Sequence, residues 1–162
     1  MRALVQRVTH ASVRVGDDTV GQIGSGLVAL VGVAHNDDDR DAAYLADKIA
    51  NLRILPDDDG RFNVSALEAR AELLFVSQFT LHANTRKGRR PSFIAAARPE
   101  QAEALFNRLV ELSRDTGLKV ETGRFQEHML VEIHNDGPVT LMLDSADRHR
   151  PRSSASTGAK ED

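Results

Sequence analysis

Polar side chains close an apolar run that begins at Ala71: the segment SQFTL occupies 77–81 and leads into a basic loop. A polar strand end of this kind is typical of an active-site edge, although a strand that simply emerges into solvent shows the same pattern. Ser77 or Thr80 could act as a nucleophile on an acyl group, but a hydroxyl needs an activating base. His82 is close in sequence, and period-two alternation predicts that it shares a strand face with Thr80. No neighbouring residue qualifies clearly as that base.

Other familiar catalytic patterns do not occur. The sequence contains no H-x-H or H-E-x-x-H pattern and no cysteine, so it offers no compact metal-binding motif, and a metal site would have to be built from distant residues. We predict no metal site. It also lacks a G-x-S-x-G elbow, a Walker loop and a G-x-G-x-x-G fingerprint. A Ser-His-Asp triad assembled from distant residues stays open.

A Gly-Pro pair interrupts two strand-like runs near the end of the chain. The stretch NDGPVT at 135–140 separates 129–134 from 139–144, both rich in β-branched and aliphatic residues. Proline removes a ladder donor and glycine weakens a strand, so these residues alone favour a plain hairpin turn. The alternative is a cis bond between Gly137 and Pro138 that reorients the flanking carbonyls.

The segment TRKGRRP at 85–91 concentrates Arg86, Lys87, Arg89 and Arg90. A net charge of −3 argues against a protein coated in nucleic acid, but it allows a local basic patch. A solvated loop would look the same.

Length and composition bound the remaining choices. A chain of 162 residues with 41% hydrophobic residues predicts one domain with a real core. The alternating N-terminus predicts neither a signal peptide nor an anchor, and no run approaches the roughly 20 apolar residues of a membrane helix. We therefore expect a cytoplasmic protein without membrane association, and the absence of cysteine fits a reducing compartment.

Hydrophobic periodicity predicts an α/β fold with mixed, largely antiparallel sheet layers and two helices packed on one face, in the order β-β-(β-α)2-β-β-β. Two helices can cover one sheet face, so the surplus strands need a second layer or a partner subunit. Residues 1–145 form the single domain, and the polar tail 146–162 is predicted to be disordered. The predicted strands lie at 2–15, 19–23, 27–33, 71–81, 118–121, 129–134 and 139–144, and the helices follow the acidic run 36–39 and Arg98-Pro99-Glu100.

SQFTL and NDGPVT together resemble the D-aminoacyl-tRNA deacylases of bacteria and eukaryotes, the D-tyrosyl-tRNA(Tyr) deacylase family. The resemblance is collinear over about residues 1 to 145. Supporting matches are QRV at 6–8, NLRI at 51–54, KGRRPSF at 87–93, and the TG-x-F…M frame of Thr122, Gly123, Phe125 and Met129.

This resemblance implies hydrolysis of the ester that joins a D-amino acid to the 3′-terminal adenosine of tRNA. It implies a homodimer in which Gly137 and cis Pro138 enter the partner's active site and offer their carbonyls to the substrate's amino group. An L side chain would collide with that backbone, whereas D-aminoacyl groups and glycine would fit. Arg7 would hold this loop in place. The resemblance implies no cofactor.

The resemblance also assigns roles around SQFTL. Backbone at Phe79 and Thr80 would stabilise the oxyanion, while Ser77 and Gln78 help to form the adenosine pocket. Phe125 and Met129 would contact substrate, the tRNA 2′-hydroxyl would assist the attacking water, and the 85–91 cations would meet tRNA phosphates. Thr80 as covalent nucleophile is a competing proposal.

Departures from the family pattern leave alternatives. The small residues expected after Phe125 are replaced by Gln126 and Glu127, and 82–84 reads His-Ala-Asn instead of Tyr-Gly-Asp. A carboxylate near an anionic substrate is unfavourable unless it points away or meets the substrate's amino group. Gln126 and Glu127 are the best support for the alternative of a non-catalytic tRNA-binding module, which the intact SQFTL and NDGPVT motifs disfavour. The other alternative is the related deacylase that acts on L-alanyl-tRNA; its strand motif differs from SQ-x-T-L, so this sequence argues against it.

Overall fold

A mixed sheet forms the centre of the computed structural model, which describes residues 1–149. Along one edge of the first strand, residues 2–8 and residues 11–15 pair antiparallel with two different neighbouring strands. Along its other edge, the first strand pairs antiparallel with the last strand. The strands are β1 (Arg2–Val15), β2 (Asp18–Ile23), β3 (Gly26–Gly32), β4 (Leu55–Pro56), β5 (Phe62–Val64), β6 (Glu72–Ser77), β7 (Val120–Thr122) and β8 (Leu130–Asp144). The main sheet has the order β2-β1-β3-β6-β7, with β8 paired to β1, and its β3-β6 and β6-β7 pairs are parallel.

Two amphipathic helices cover one face of this sheet, as predicted. They are α1 (Asp39–Asn51) and α3 (Pro99–Arg114), and the short α2 (Ala66–Ala69) lies between them in sequence. The acidic run ahead of α1 works as a cap: the Asp38 carboxylate accepts from Arg40 N at 2.9 Å, and the Asp41 carboxylate accepts from Asp38 N at 2.9 Å. The helices share a core with one face of β3 and β6, and each large aliphatic side chain buried there contributes about 1.5–3 kcal/mol.

The opposite sheet face is covered by the chain itself. Val28 and Leu74 point to this face, and Val131 and Ile133 from the first half of β8 pack against it. The sequence left open whether a second layer or a partner would cover the surplus strands. In the structure, β8 supplies at least part of that cover.

The predicted hairpin at NDGPVT is wrong. β8 runs as one strand, and both of its halves pair with β1: Gln6 lies opposite Thr140, and Val8 lies opposite Asn135. Two steps along β1 therefore correspond to five along β8, and residues 136–139 bulge out of the ladder. The chain does leave the ladder at Asn-Asp-Gly-Pro, as these residues indicate. It then continues in its original direction, because the segments before and after the bulge both pair with β1.

Smaller differences concern element ends. The predicted strand 71–81 stops at Ser77, and a 3-10 turn follows at Phe79–His82. A further 3-10 turn at Ser145–His149 includes 146–149, which the sequence had assigned to the tail, while 150–162 lie outside the described residues. The β4-β5 pair and α2 were not predicted. Within residues 1–149, no helix is long and apolar enough to cross a membrane.

Candidate active site

A pocket of about 700 Å³ opens where β6 ends, beside the segments that enter α3 and β8. It brings together Ser77, Gln78, Phe79, Phe125 and Met129, which the sequence had nominated from two separate motifs. The remaining lining comes from Val33, Val76, Phe93, residues 96–99, Ala102, residues 126–128 and Val131. Its wall is mainly apolar, with a few polar groups at the rim, as is usual for small-molecule sites.

The polar end of β6 is folded into a tight turn. Gln78 N donates to Val31 O at 2.7 Å, which fixes the chain to β3 immediately before the 3-10 turn. The Gln78 side chain then donates from Nε2 to Thr80 Oγ1 at 2.5 Å. An amide cannot take up a proton near neutral pH, so this partner does not activate the Thr80 hydroxyl as a nucleophile.

The expectation that His82 shares a face with Thr80 is wrong. The 3-10 turn replaces period-two geometry, so Thr80 is exposed while His82 is buried. Burial is the main reason that the pKa of His82 is lowered, and its Nε2 has no hydrogen-bond partner among residues 1–149. A neutral imidazole held away from the exposed hydroxyl supports the turn from beneath and does not serve it as a base.

The TG-x-F…M frame forms another wall of the pocket. A Cβ on Gly123 would lie 2.5 Å from the Met129 sulfur, so glycine makes the room that Met129 occupies. Phe125 lies 6.5 Å from the Phe106 ring, centroid to centroid, and is thereby anchored to α3. Gln126 adopts φ +60°, a left-handed conformation that glycine adopts more readily than other residues.

The unusual Gln126 and Glu127 side chains are exposed at the pocket rim, with His128 beside them. They therefore add polar groups at the entrance without filling the apolar interior. These two residues therefore change the entrance of the pocket and do not fill its interior.

The Gly137–Pro138 bond is cis, as the resemblance implied, and both residues are exposed on the β8 bulge. The bulge is closed by Asn135, whose Oδ1 accepts from Val139 N at 3.2 Å and whose Nδ2 donates to Thr140 Oγ1 at 2.8 Å. Neither residue of the pair lines the pocket of its own chain.

Arg7 braces this bulge from the side of β1. Its Nε lies 3.0 Å from Asp136 Oδ2, a charge contact whose alignment falls short of a hydrogen bond, and its Nη1 donates to Ile54 O at 3.0 Å. The guanidinium also lies 5.4 Å from the centroid of the Phe62 ring. Arg7 is nearly buried, and its Nη2 would lie 3.0 Å from a Cβ on Gly137, so there is little space for a larger residue.

The basic residues lie together on one exposed loop. Asn84 and Ser92 exchange backbone hydrogen bonds of 2.8 and 2.9 Å, which closes the loop that carries Arg86, Lys87, Arg89 and Arg90. Arg86 and Lys87 line a second open cleft with Asn84 and Ser92. Ser92 lines this cleft and the next residue, Phe93, lines the main pocket, so the two recesses are neighbours.

Sequence reasoning missed part of the pocket. Phe93 packs edge-on against Phe79 at 5.0 Å between ring centroids, yet it was read only as the end of a matched basic motif. The signal was present, since an aromatic residue directly after a cation-rich loop is typical of nucleic-acid-binding surfaces. Within residues 1–149, no three His, Asp or Glu side chains are grouped closely enough to hold a metal ion.

Comparison with known proteins agrees with this geometry. A family model described as D-Tyr-tRNA(Tyr) deacylase matches residues 4–144. A D-aminoacyl-tRNA deacylase of Dehalococcoides mccartyi is 57% identical over 152 residues, covering 94% of this chain and 99% of the relative. The corresponding protein of Symbiobacterium thermophilum is 57% identical over 145 residues, covering 90% and 96%.

Solved structures give the same result. A structure described as c-Myc DNA unwinding element binding protein superposes with a TM-score of 0.84 at 40% identity, over 89% of this chain and 98% of the other. A probable eukaryotic D-amino acid tRNA deacylase superposes with a TM-score of 0.78 at 18% identity, over 88% and 98%, and shows the shared fold alone. With a family match over almost its whole described length, the chain belongs to the D-Tyr-tRNA(Tyr) deacylase family.

Proposed function

We propose that this protein hydrolyses the ester bond of D-aminoacyl-tRNA and releases the free D-amino acid and the free tRNA. The observation that carries the proposal is the combination, in one family member, of an open apolar pocket at the end of β6 and an exposed, braced Gly137–Pro138 bulge on β8. Relatives with more than half of their residues identical carry the name D-aminoacyl-tRNA deacylase. Glycyl-tRNA is a further expected substrate, because glycine has no side chain to exclude.

The reaction needs few side chains. Water adds to the ester carbonyl carbon, the bond to the tRNA 3′ oxygen breaks, and that oxygen takes up a proton. The tetrahedral oxyanion requires preorganised N–H donors. Phe79 and Thr80 open the 3-10 turn, where backbone N–H groups lack acceptors within the turn. Ser77 and Gln78 would hold the terminal adenosine, and the tRNA 2′-hydroxyl would assist the water, so Thr80 need not become acylated.

Chiral selection would come from a second copy of the chain. Gly137 and Pro138 are exposed and do not line their own pocket, which suits insertion into the pocket of a partner. There the two backbone carbonyls would receive the substrate's amino group, and an L side chain would meet the backbone. Phe125 and Met129 would form the facing wall. Arg7 would set the position of the bulge through Asp136.

The free edge of β8 supports a homodimer. This strand pairs only with β1 in the described chain, and it exposes Leu130, Leu141 and Met142 beside the bulge. Long edge strands with exposed apolar residues are usually covered in the native state. A homodimer that buries this strip would also deliver the Gly137–Pro138 bulge to a neighbouring pocket.

The basic loop would bind the acceptor end of the tRNA. Arg86, Lys87, Arg89 and Arg90 are exposed beside the pocket, where their charges can meet backbone phosphates. Such contacts position the tRNA and add salt dependence without reading its sequence. A protein that acts on this substrate would work in the cytoplasm, where charged tRNA is used.

The decisive experiment offers the protein matched D- and L-aminoacyl-tRNA that carry the same amino acid, and follows loss of the ester with time. Selective loss of the D ester supports the proposal. Loss of an L-alanyl ester instead, or binding without turnover, would contradict it and favour the related L-alanyl enzyme or a tRNA-binding module. A parallel reaction with a chelator should proceed at the same rate, because the chemistry proposed needs no metal.

A further inference from the structure

Ile94 is the most exposed of the large hydrophobic side chains in the described residues, with 90% of its surface accessible. A single exposed aliphatic residue needs no explanation by itself, so the argument depends on what surrounds it. Its sequence neighbour Phe93 contacts Phe79, which is itself 55% exposed at the rim of the pocket. The contacting Phe79 and Phe93 rings and the adjacent, exposed Ile94 are here called the 79/93/94 strip.

The backbone that carries Ile94 is held on both sides. Asn84 and Ser92 pair before it, and Ala34 pairs with Ala96 after it. Within the turn, Ala96 N donates to Phe93 O at 3.0 Å, and His35 N donates to Ala95 O at 3.2 Å. A side chain presented to solvent on such a fixed turn loses little backbone freedom when a ligand covers it.

The turn that carries Phe93 and Ile94 adjoins both recesses of the site. Ser92 belongs to the cleft that also contains Arg86 and Lys87, Phe93 belongs to the main pocket, and Ile94 follows directly. If the terminal adenosine is held in the pocket and backbone phosphates meet the basic loop, the unpaired nucleotides that join them would pass close to this turn. The basic loop on one side suits the phosphates of a single-stranded 3′ end, and the apolar side chains on the other side suit its bases.

We propose that the 79/93/94 strip, through Ile94 in particular, holds the bases of the unpaired nucleotides that precede the terminal adenosine. Apolar and aromatic side chains of this kind support unpaired bases regardless of sequence, because every base has an apolar face. The inference rests on the proposed function and extends it, since it assigns a contact to nucleotides that do not react. It predicts that the enzyme senses the acceptor end beyond the ester itself.

The test is a cycle of two changes, Ile94→Ser in the protein and removal of the penultimate base from D-aminoacyl-tRNA, leaving an abasic ribose. With intact tRNA, I94S should lower kcat/KM about fivefold to tenfold, below the full effect of losing an aromatic stacking partner. The abasic change should lower kcat/KM of the unaltered enzyme by a similar factor. When both changes are made together, kcat/KM should fall little further than with either change alone, because both remove the same contact.

Controls separate this inference from the proposed function. Ala95→Ser, a polar change on the same turn, should leave the rate unchanged, and I94L, which keeps the apolar area, should retain the coupling to the base. Independent, multiplying effects of I94S and the abasic site, or no effect of I94S, would overturn the inference while D-ester hydrolysis continues. Failure of the unaltered enzyme to cleave the intact D ester would overturn the proposed function, and the inference with it.

Discussion

Replacement of Arg7 by alanine tests how the Gly137–Pro138 bulge is held. The guanidinium spans three groups: it donates to the Ile54 carbonyl, contacts the Asp136 carboxylate and lies over the Phe62 ring. Of these three, the contact with Asp136 acts on the bulge, which Nη2 also approaches at Gly137, and the other two fix the guanidinium itself. Arg7→Ala and Asp136→Ala should therefore have unequal effects on stability but related effects on function.

The magnitudes follow from burial. Loss of the donor leaves the buried Ile54 carbonyl unpaired, which costs about 1–3 kcal/mol of unfolding free energy. The contact with Asp136 is half open to solvent, so it contributes about 0.5–1 kcal/mol. The stacking on Phe62 is also exposed and contributes about 0.5–1 kcal/mol. R7A should lose about 2–5 kcal/mol in total, and D136A no more than about 1 kcal/mol.

Urea unfolding and hydrolysis of D- and L-aminoacyl-tRNA measure the two consequences. Both variants should lose rate on the D ester and selectivity against the L ester, with R7A the more affected. Arg61→Ala is the matched control, because the exposed Arg61 side chain forms an ion pair with the exposed Asp59, and its loss should change stability by less than about 0.5 kcal/mol. The reasoning is refuted if D136A destabilises as much as R7A, or if folded R7A keeps the original rate and selectivity.

Three further predictions concern other parts of the site. Gly137→Ala should abolish most D-ester hydrolysis, since its Cβ would lie 2.8 Å from a Val139 methyl group at φ +120°; unchanged turnover in a folded variant would contradict this. Burial holds the pKa of His82 below its ordinary 6.5, so the unfolded chain binds the proton more readily and stability should fall as the pH drops below about 6.5. In urea titrations between pH 7 and 5, His82→Phe should reduce this dependence of unfolding free energy on pH. If the variant and the original protein lose stability in parallel, His82 is not the group responsible. Neutralising Arg86 and Lys87 should reduce the slope of log kcat/KM against log salt by about 0.7–0.9 per cation, and an unchanged slope would remove the loop from the tRNA interface.

Sequence reasoning succeeded where a short stretch determines its own structure. The alternating residues 2–15 became β1, and the Asp38 capping box starts α1 where the acidic run indicated. It failed where the outcome depends on a distant partner. Asn-Asp-Gly-Pro signals a departure from the ladder, but whether the chain reverses or resumes depends on pairing with β1 on both sides of Pro138. The end of β6 at Ser77 likewise depends on β3, through Val31 O.

The site was harder to predict than the fold because its proposed chemistry uses backbone groups. A search for a nucleophile, a base and an orienting acid finds none, since the expected oxyanion donors are N–H groups of a 3-10 turn and the expected chiral gate is a pair of carbonyls. Residue type constrains such groups only indirectly, through the backbone shapes that Gly123 and Gly137 permit.

If the active site combines the pocket at β6 with the bulge of a partner's β8, as proposed, dimerisation would be required for selective catalysis. The bulge at Gly137 and the pocket at Ser77 lie on different elements of one chain, and the pocket lining does not include the bulge. An isolated protomer would then present an oxyanion turn without a stereochemical gate, and it would lack the means to spare correctly charged L-aminoacyl-tRNA. In the proposed homodimer, one association would both bury the exposed apolar residues of β8 and complete the pocket, so that only a protein with the full site would have its free edge covered. A charged residue at Leu130 or Met142 should therefore reduce D-ester hydrolysis in step with the dimer fraction measured by sedimentation, and a monomer that retained full D selectivity would contradict this account.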